Sequence, residues 1–112
     1  MPRDREYLLD MLAAARLILS YVAGKTRADF KTDTQCQDAV IRRFEIIGEA
    51  ARRLSDETRA SLPQLPWDAM IGMRNLLIHE YDGVDLDVVW ETIHANLPTL
   101  AQTIQSLVPP DV

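Results

Sequence analysis

The strongest constraint on the fold of this chain is the placement of its prolines. They stand at positions 2, 63, 66, 98, 109 and 110, and none interrupts residues 3–62. Proline breaks the interior of an α-helix because it lacks a backbone N–H and its ring clashes with the preceding turn. The long proline-free region therefore permits two long helices in succession.

The first of these helices is predicted over residues 3–23. Its apolar residues recur at spacings of three and four, the period of a helix: Leu8, Met11, Ala15, Ile18 and Val22. Leu9, Leu12 and Leu19 widen this face. A face of this width predicts burial on two sides, by the rest of the bundle and by a second subunit. Gly24 is a suitable helix stop.

A loop is predicted over residues 25–32, which have no apolar period. Thr32 or Asp33 can then cap the second long helix by accepting hydrogen bonds from its first N–H groups. The apolar stripe of that helix consists of Cys36, Val40, Phe44, Ile47, Ala51 and Leu54. Because Cys36 lies on this stripe, we expect a small core residue there and not a reactive thiol.

The second half of the chain contains shorter predicted helices. Ser55 begins a short helical turn that Pro63 and Pro66 end, and a further helix starts near Trp67 and continues into residues 74–81. The dipeptide at 82–83 (Asp-Gly) is a turn signal.

A last helix is predicted after this turn. Asp85 caps it, and Pro98 is expected to break or kink it. Its apolar residues are Leu86, Trp90, Ile93, Leu97, Leu100, Ile104 and Leu107. No segment alternates at period two, so no strand is predicted. The sequence thus predicts one all-α domain over residues 1–112, an antiparallel bundle of four to five helices.

Composition restricts the function and the compartment. One cysteine allows no internal disulfide, which favours a reducing cytoplasm, and no apolar run is long enough for a membrane span. The net charge of −5 argues against non-specific coating of nucleic acid. Glycines are too dispersed for a phosphate loop, and two histidines with one cysteine make a poor metal site. The sequence therefore predicts neither a cofactor nor a metal.

Charge is divided unevenly along the chain. Residues 67–112 contain seven acidic residues and a single basic one, Arg74. A surface ion pair between Arg74 and Glu80 or Asp82 is one interpretation of this isolated arginine. The other is a local site for an anionic ligand, which the neighbouring residues make worth considering.

Candidate catalytic residues lie in the segment 72–81. On a helix, Asn75 and His79 share a face, and so do Arg74 and Tyr81. Arginine offers a rigid fork to phosphate oxygens, and histidine transfers protons near neutral pH, so the set suits a phosphodiester. The alternative is structural, with His79 supporting the helix end and Asn75 bonding to it. His94 lacks comparable neighbours and is expected at a half-exposed helix position.

Arg74, four residues and then His79, with Tyr81 two residues later, resemble the signature of HEPN domains in its HepT-like toxin form. Blocks elsewhere are similar to that subgroup in the same order: 47–50, 66–67, 71–73, 82–85 and 89–92. The resemblance covers nearly the whole chain. It implies an all-α domain that forms a homodimer or a higher oligomer.

The resemblance also implies a metal-independent endoribonuclease whose cleft forms where two copies of the motif meet. Arg74 would bind or polarise the scissile phosphate, His79 would act as general acid or base, and Asn75 would orient the site. The substrate would be an RNA such as tRNA or mRNA, whose 2′-hydroxyl attacks the adjacent phosphate.

The HepT subgroup is usually the toxin of a HepT/MntA-type toxin–antitoxin pair. Its partner is an MntA-like nucleotidyltransferase antitoxin that adenylylates the motif tyrosine, which corresponds here to Tyr81. The alternative function is a non-catalytic helical module that binds nucleotide or such a partner. The acidic balance of the chain favours this alternative, because a non-specific ribonuclease is usually basic.

Overall fold

The structure, a computed structural model, describes the backbone of residues 3–79 and 83–108 and the side chains of residues 3–73 and 83–108. In this part of the chain, every regular element is an α-helix. The six helices are α1 (Asp4–Val22), α2 (Arg27–Thr32), α3 (Thr34–Arg53), α4 (Asp56–Ala60), α5 (Trp67–His79) and α6 (Leu86–Leu107). The all-α prediction is confirmed, with two short helices, α2 and α4, beside four longer ones.

Helix α2 corrects the prediction of a loop over residues 25–32. The hydroxyl of Thr26 accepts a hydrogen bond from the N–H of Asp29, and the Asp29 carboxylate accepts one from the N–H of Thr26. This reciprocal capping box satisfies two N–H groups that a short helix otherwise leaves unpaired. The predicted helix stop before it is confirmed, because Gly24 has φ +76°, a conformation that glycine adopts at little cost.

Helix α3 lies between α1 on one side and α5 on the other. Of the two candidate caps, Asp33 caps it, by accepting a hydrogen bond of 3.0 Å from the N–H of Cys36. Helices α1 and α3 are antiparallel, since Tyr21 near the end of α1 lies beside Cys36 at the start of α3. Cys36 is buried, as its place on the apolar stripe predicts.

The core consists of the apolar stripes of α1, α3 and α6. Its largest fully buried side chains include Met11, Ile18, Phe30, Phe44, Ile47, Ile93, Leu97, Leu100 and Ile104. Full burial of one such side chain contributes roughly 1.5–3 kcal/mol, so these stripes supply most of the driving force for folding. Phe30 brings α2 into the same core, although the loop prediction gave it no such role.

Pro98 does not break α6. The helix continues from Leu86 to Leu107 with this proline on its exposed side. Proline removes the hydrogen bond to the carbonyl of His94, but Leu97 and Leu100 on either side are almost fully buried and hold the helix against α1. The predicted cap is confirmed, since the Asp85 carboxylate accepts hydrogen bonds from the N–H groups of Asp87 and Val88. None of the described helices is long and apolar enough to cross a membrane.

Candidate functional site

Helix α5 carries the candidate site and is fixed at its first residue. The indole Nε1 of Trp67 donates a hydrogen bond of 2.8 Å to the carbonyl of Leu62, and the N–H of Met70 bonds to the carbonyl of Pro66. Leu62 and Leu65 in the preceding turn are buried. The prolines at 63 and 66 thus end the α4 region and set the direction in which α5 starts.

One side of α5 packs against α3. Met70 and Met73 are buried in this contact, each with about one-twentieth of its surface exposed, and Gly48 of α3 is buried as well. The contact leaves Ala69 and Gly72 exposed on the other side of α5. Helix α5 is therefore attached to the bundle along its first two turns, before the candidate residues are reached.

The structure places Arg74, Asn75 and His79 in the last two turns of α5. In an ideal helix, Asn75 and His79 lie about 6 Å apart along the axis and about 40° apart around it, whereas Arg74 and His79 differ by about 140°. Their side chains, and Tyr81 altogether, lie outside the described residues. The backbone thus brings three of the four predicted residues to one helix end.

The structure adds a group of residues that the sequence interpretation missed, at the start of α6. Arg27 contacts the carboxylates of Asp87 and Glu91, each at 3.3 Å, and Lys31 contacts Asp87 at 3.2 Å. These contacts join α2 to the first two turns of α6. The sequence signal for this group of residues was the capping box after Gly24, together with two cations, Arg27 and Lys31, four residues apart.

Aromatic packing accompanies these ion pairs. The ring of Phe30 lies 5.5 Å from that of Trp90, measured between centroids, and the imidazole of His94 lies 4.3 Å from the same Trp90 ring. His94 Nδ1 is 2.9 Å from the carbonyl oxygen of Trp90, so Nδ1 carries the proton in the neutral ring. His94 is exposed and belongs to this packing, in line with its predicted place on the helix surface.

A separate groove of about 200 Å³ lies between α1 and α3. Tyr7, Arg42 and Arg53 line it, and both arginines already pair with carboxylates, Arg42 with Glu45 and Arg53 with Glu49. The lining contains these two arginines and three carboxylates, those of Asp10, Glu45 and Glu49, so the net charge of the groove is negative. It therefore offers no net attraction for a phosphate and is not a competing nuclease site.

An all-α bundle with an Arg-x4-His motif at the end of one helix defines the class of the protein, a HEPN-like domain. Comparison with known protein families makes this more specific: residues 11–107 match the model of a family described as Ribonuclease HepT-like. The match includes the whole segment 74–81 and all six helices except residues 4–10 at the start of α1. The chain belongs to the HepT-like ribonuclease family.

The names of similar proteins agree with this assignment. A protein of Thermococcus cleftensis named "Probable ribonuclease HepT" is 38% identical over 92% of this chain and 94% of its own length. A "Putative RNase" of Caldanaerobacter subterraneus subsp. tengcongensis is 36% identical over 96% of both chains.

A third relative is a larger protein. It comes from Methanocaldococcus jannaschii, is named "Gamma-glutamylcyclotransferase and putative RNase", and is 44% identical over 88% of this chain. The chain spans only 44% of the length of that relative. No solved structure matches the chain.

Proposed function

We propose that this protein is a metal-independent endoribonuclease that acts as the toxin of a toxin–antitoxin pair. The observation that carries the proposal is the Arg74-x4-His79 motif at the end of α5 in a member of the HepT-like ribonuclease family. The names of the relatives support RNA as the substrate class.

The proposed reaction uses the RNA itself as nucleophile. A 2′-hydroxyl loses its proton and attacks the adjacent phosphorus, the bond to the 5′-oxygen breaks, and that oxygen takes up a proton. The products are a 2′,3′-cyclic phosphate and a free 5′-hydroxyl. His79 performs one or both of these proton transfers, and DNA is excluded because it lacks the nucleophile.

Arg74 supports this reaction by charge. The phosphorane-like transition state carries more negative charge on its equatorial oxygens than the substrate, and a guanidinium fork donates two hydrogen bonds to such oxygens. Asn75 shares a helix face with His79 and orients its ring. A second copy of α5 completes the cleft, so the two motifs of a homodimer supply the positive charge together.

The test is RNA cleavage by purified protein in excess chelator. We expect Arg74→Ala and His79→Ala each to lower kcat at least a hundredfold, because each removes charge stabilisation or proton transfer from the transition state. His94→Ala is the matched control: it removes the other histidine, which lies on α6, and should leave cleavage nearly unchanged. Full cleavage by both motif variants would refute the proposal.

The proposal includes control of the toxin at Tyr81. An MntA-like nucleotidyltransferase transfers AMP from ATP to the phenol oxygen, and pyrophosphate leaves. The attached phosphate carries negative charge and several acceptor oxygens, and it would occupy the position near Arg74 that an RNA phosphate otherwise takes. The modified protein is therefore expected to be inactive.

Intact-mass measurement after incubation with the partner and ATP tests this control. We expect one AMP per chain, no addition to Tyr81→Phe, and unchanged addition to Tyr7→Phe, which removes a phenol on α1 as a control. Modification of Tyr81→Phe to the wild-type extent would place the acceptor elsewhere. Retained cleavage by the fully modified protein would contradict inhibition.

The net charge of −5 favours a second function, a non-catalytic module that binds a nucleotidyltransferase or a nucleotide. This function predicts a stable complex with the partner and no RNA cleavage under any condition. The same chelator-containing assay separates the two functions, provided that cleavage by the wild type is compared with that by His79→Ala.

A further inference from the structure

Residues 25–33, here called the strap, form a short excursion between α1 and α3 and contain α2. The chain turns out of α1 at Gly24, whose φ of +76° glycine adopts at little cost. At the base of the strap, the ammonium of Lys25 lies 3.1 Å from the carboxylate of Asp33. The strap therefore begins and ends at nearly the same place, as a compact surface loop does.

The strap covers little of the core. Phe30 is its one buried side chain, and the other residues of α2 are exposed. The Phe30 ring lies 5.5 Å from that of Trp90 on α6, and the Phe30 carbonyl accepts a hydrogen bond of 2.9 Å from the amide of Gln37 on α3. Each of the long helices α1, α3 and α6, in contrast, buries several apolar side chains. Release of the strap therefore exposes far less apolar surface than unfolding of the bundle and costs less free energy.

Among the described residues, three ion pairs join the strap to the first two turns of α6. The guanidinium of Arg27 lies 3.3 Å from Asp87 and 3.3 Å from Glu91, and the ammonium of Lys31 lies 3.2 Å from Asp87. The exposed fractions of these four side chains lie between 44% and 66%, so dissolved salt reaches all of them. Such pairs are weakened by salt, since the Debye length falls from about 10 Å at 0.1 M to about 3 Å at 1 M.

Hydrogen bonds inside the strap hold it together as a unit. The capping box joins Thr26 and Asp29 in both directions, and the hydroxyl of Thr32 donates to the carbonyl of Ala28. None of these bonds has to break when the strap leaves α6. Motion is instead confined to its two ends, next to Gly24 and Asp33, which are the kind of helix-terminal positions at which hinges occur.

We propose that the strap opens as one unit while the core of α1, α3 and α6 stays folded, and that ionic strength sets the fraction of open molecules. At low salt, the ion pairs to Asp87 and Glu91 keep the strap closed. At high salt these pairs are screened, Phe30 leaves the core and its contact with Trp90 is lost. This device does not depend on the proposed nuclease function, because the contacts that it uses join the strap to α3 and α6.

Amide hydrogen exchange of the full chain at about 0.05 M and about 0.5 M NaCl is the first test. We expect the amides of residues 29–32 to exchange several-fold faster at the higher salt concentration, while those of residues 44–51 in α3 keep their rate. Residues 29–32 should also be less protected than residues 44–51 at both concentrations, because the strap opens without global unfolding. Equal protection of the two segments would overturn the proposal.

The double variant Asp87→Asn/Glu91→Gln tests the ion pairs themselves, because it removes both carboxylates and leaves the strap intact. At low salt its residues 29–32 should exchange as fast as those of the wild type at high salt, with little further response to salt. Its melting temperature should be nearly unchanged, since exposed ion pairs contribute little to global stability. Asp56→Asn, which breaks an exposed ion pair on α4, is the control and should keep the full salt response. An undiminished salt response of the double variant would exclude the ion pairs as its cause.

Cleavage of the wild-type protein by trypsin reports the same opening independently, because Arg27 and Lys31 are cleavage sites inside α2. We expect the first cuts to follow these two residues. Their rate should rise several-fold with salt relative to cuts after Arg42 and Arg43 in α3, which serve as the internal reference for the protease. If cuts in α3 appear as early as those in the strap at both salt concentrations, the bundle opens as a whole and the proposal is wrong.

Discussion

At the scale of single residues, the buried carboxylate of Asp4 connects two helices of the bundle. It accepts hydrogen bonds from the N–H and hydroxyl of Ser55 and from the hydroxyl of Thr58, which together join the start of α1 to the start of α4. These donors, the Thr58 hydroxyl first, hold the pKa of Asp4 below its usual range. The ionised form of Asp4 therefore stabilises the folded state.

We expect Asp4→Asn to lower the melting temperature by several degrees at pH 7, since an amide offers one acceptor oxygen to donors that now meet two. Because the folded-state pKa lies below the unfolded value of about 3.9, the contribution is present above that value and disappears as pH falls through the folded pKa. The two melting curves should converge in acid. Asp56→Asn, almost fully exposed on α4, should change little. A constant difference down to the lowest pH would contradict this account.

At the scale of an element, α2 depends on its capping box more than on apolar periodicity. Thr26→Ala removes the side-chain acceptor for the N–H of Asp29 and should destabilise the protein by about 1 kcal/mol in denaturant unfolding. Thr26→Ser keeps the acceptor and should lose less than half of that. Thr99→Ala, at an exposed position of α6, is the control. Equal losses from Thr26→Ala and Thr26→Ser would assign the effect to the methyl group instead.

The same element shows where prediction from sequence ends. Helices α1, α3 and α6 follow from apolar stripes of five to seven residues, and Ser55 and Asp85 mark true helix starts. Six residues are too few to display a period, so the sequence pattern predicts a loop at α2 although the residues of its capping box are present. The motif of α5 could be located by its spacing. Whether the Arg74 and His79 side chains meet could not be predicted, because five residues of helix place them about 140° apart around the axis.

At the scale of the whole molecule, the wide apolar face of α1 has a partial explanation within one chain. Leu12 is buried and Leu9 and Leu19 are half-buried, with α6 covering this side of α1. The breadth of that face is therefore weaker evidence for a dimer than it is in the sequence alone. The expectation of a dimer depends instead on the proposed site, in which the motifs of two copies meet.

Mixing two inactive variants tests directly whether the site needs residues from two copies of the chain. If the cleft combines residues of two copies, a heterodimer of Arg74→Ala and His79→Ala chains contains one intact arginine and one intact histidine and regains part of the activity. The two variants, each inactive alone, should therefore cleave RNA when co-refolded, and light scattering should give a dimer for both parents and the mixture. If the mixture stays inactive although heterodimers are present, each copy carries a complete site of its own. No chain in the mixture has both residues, so no complete site can form in that case.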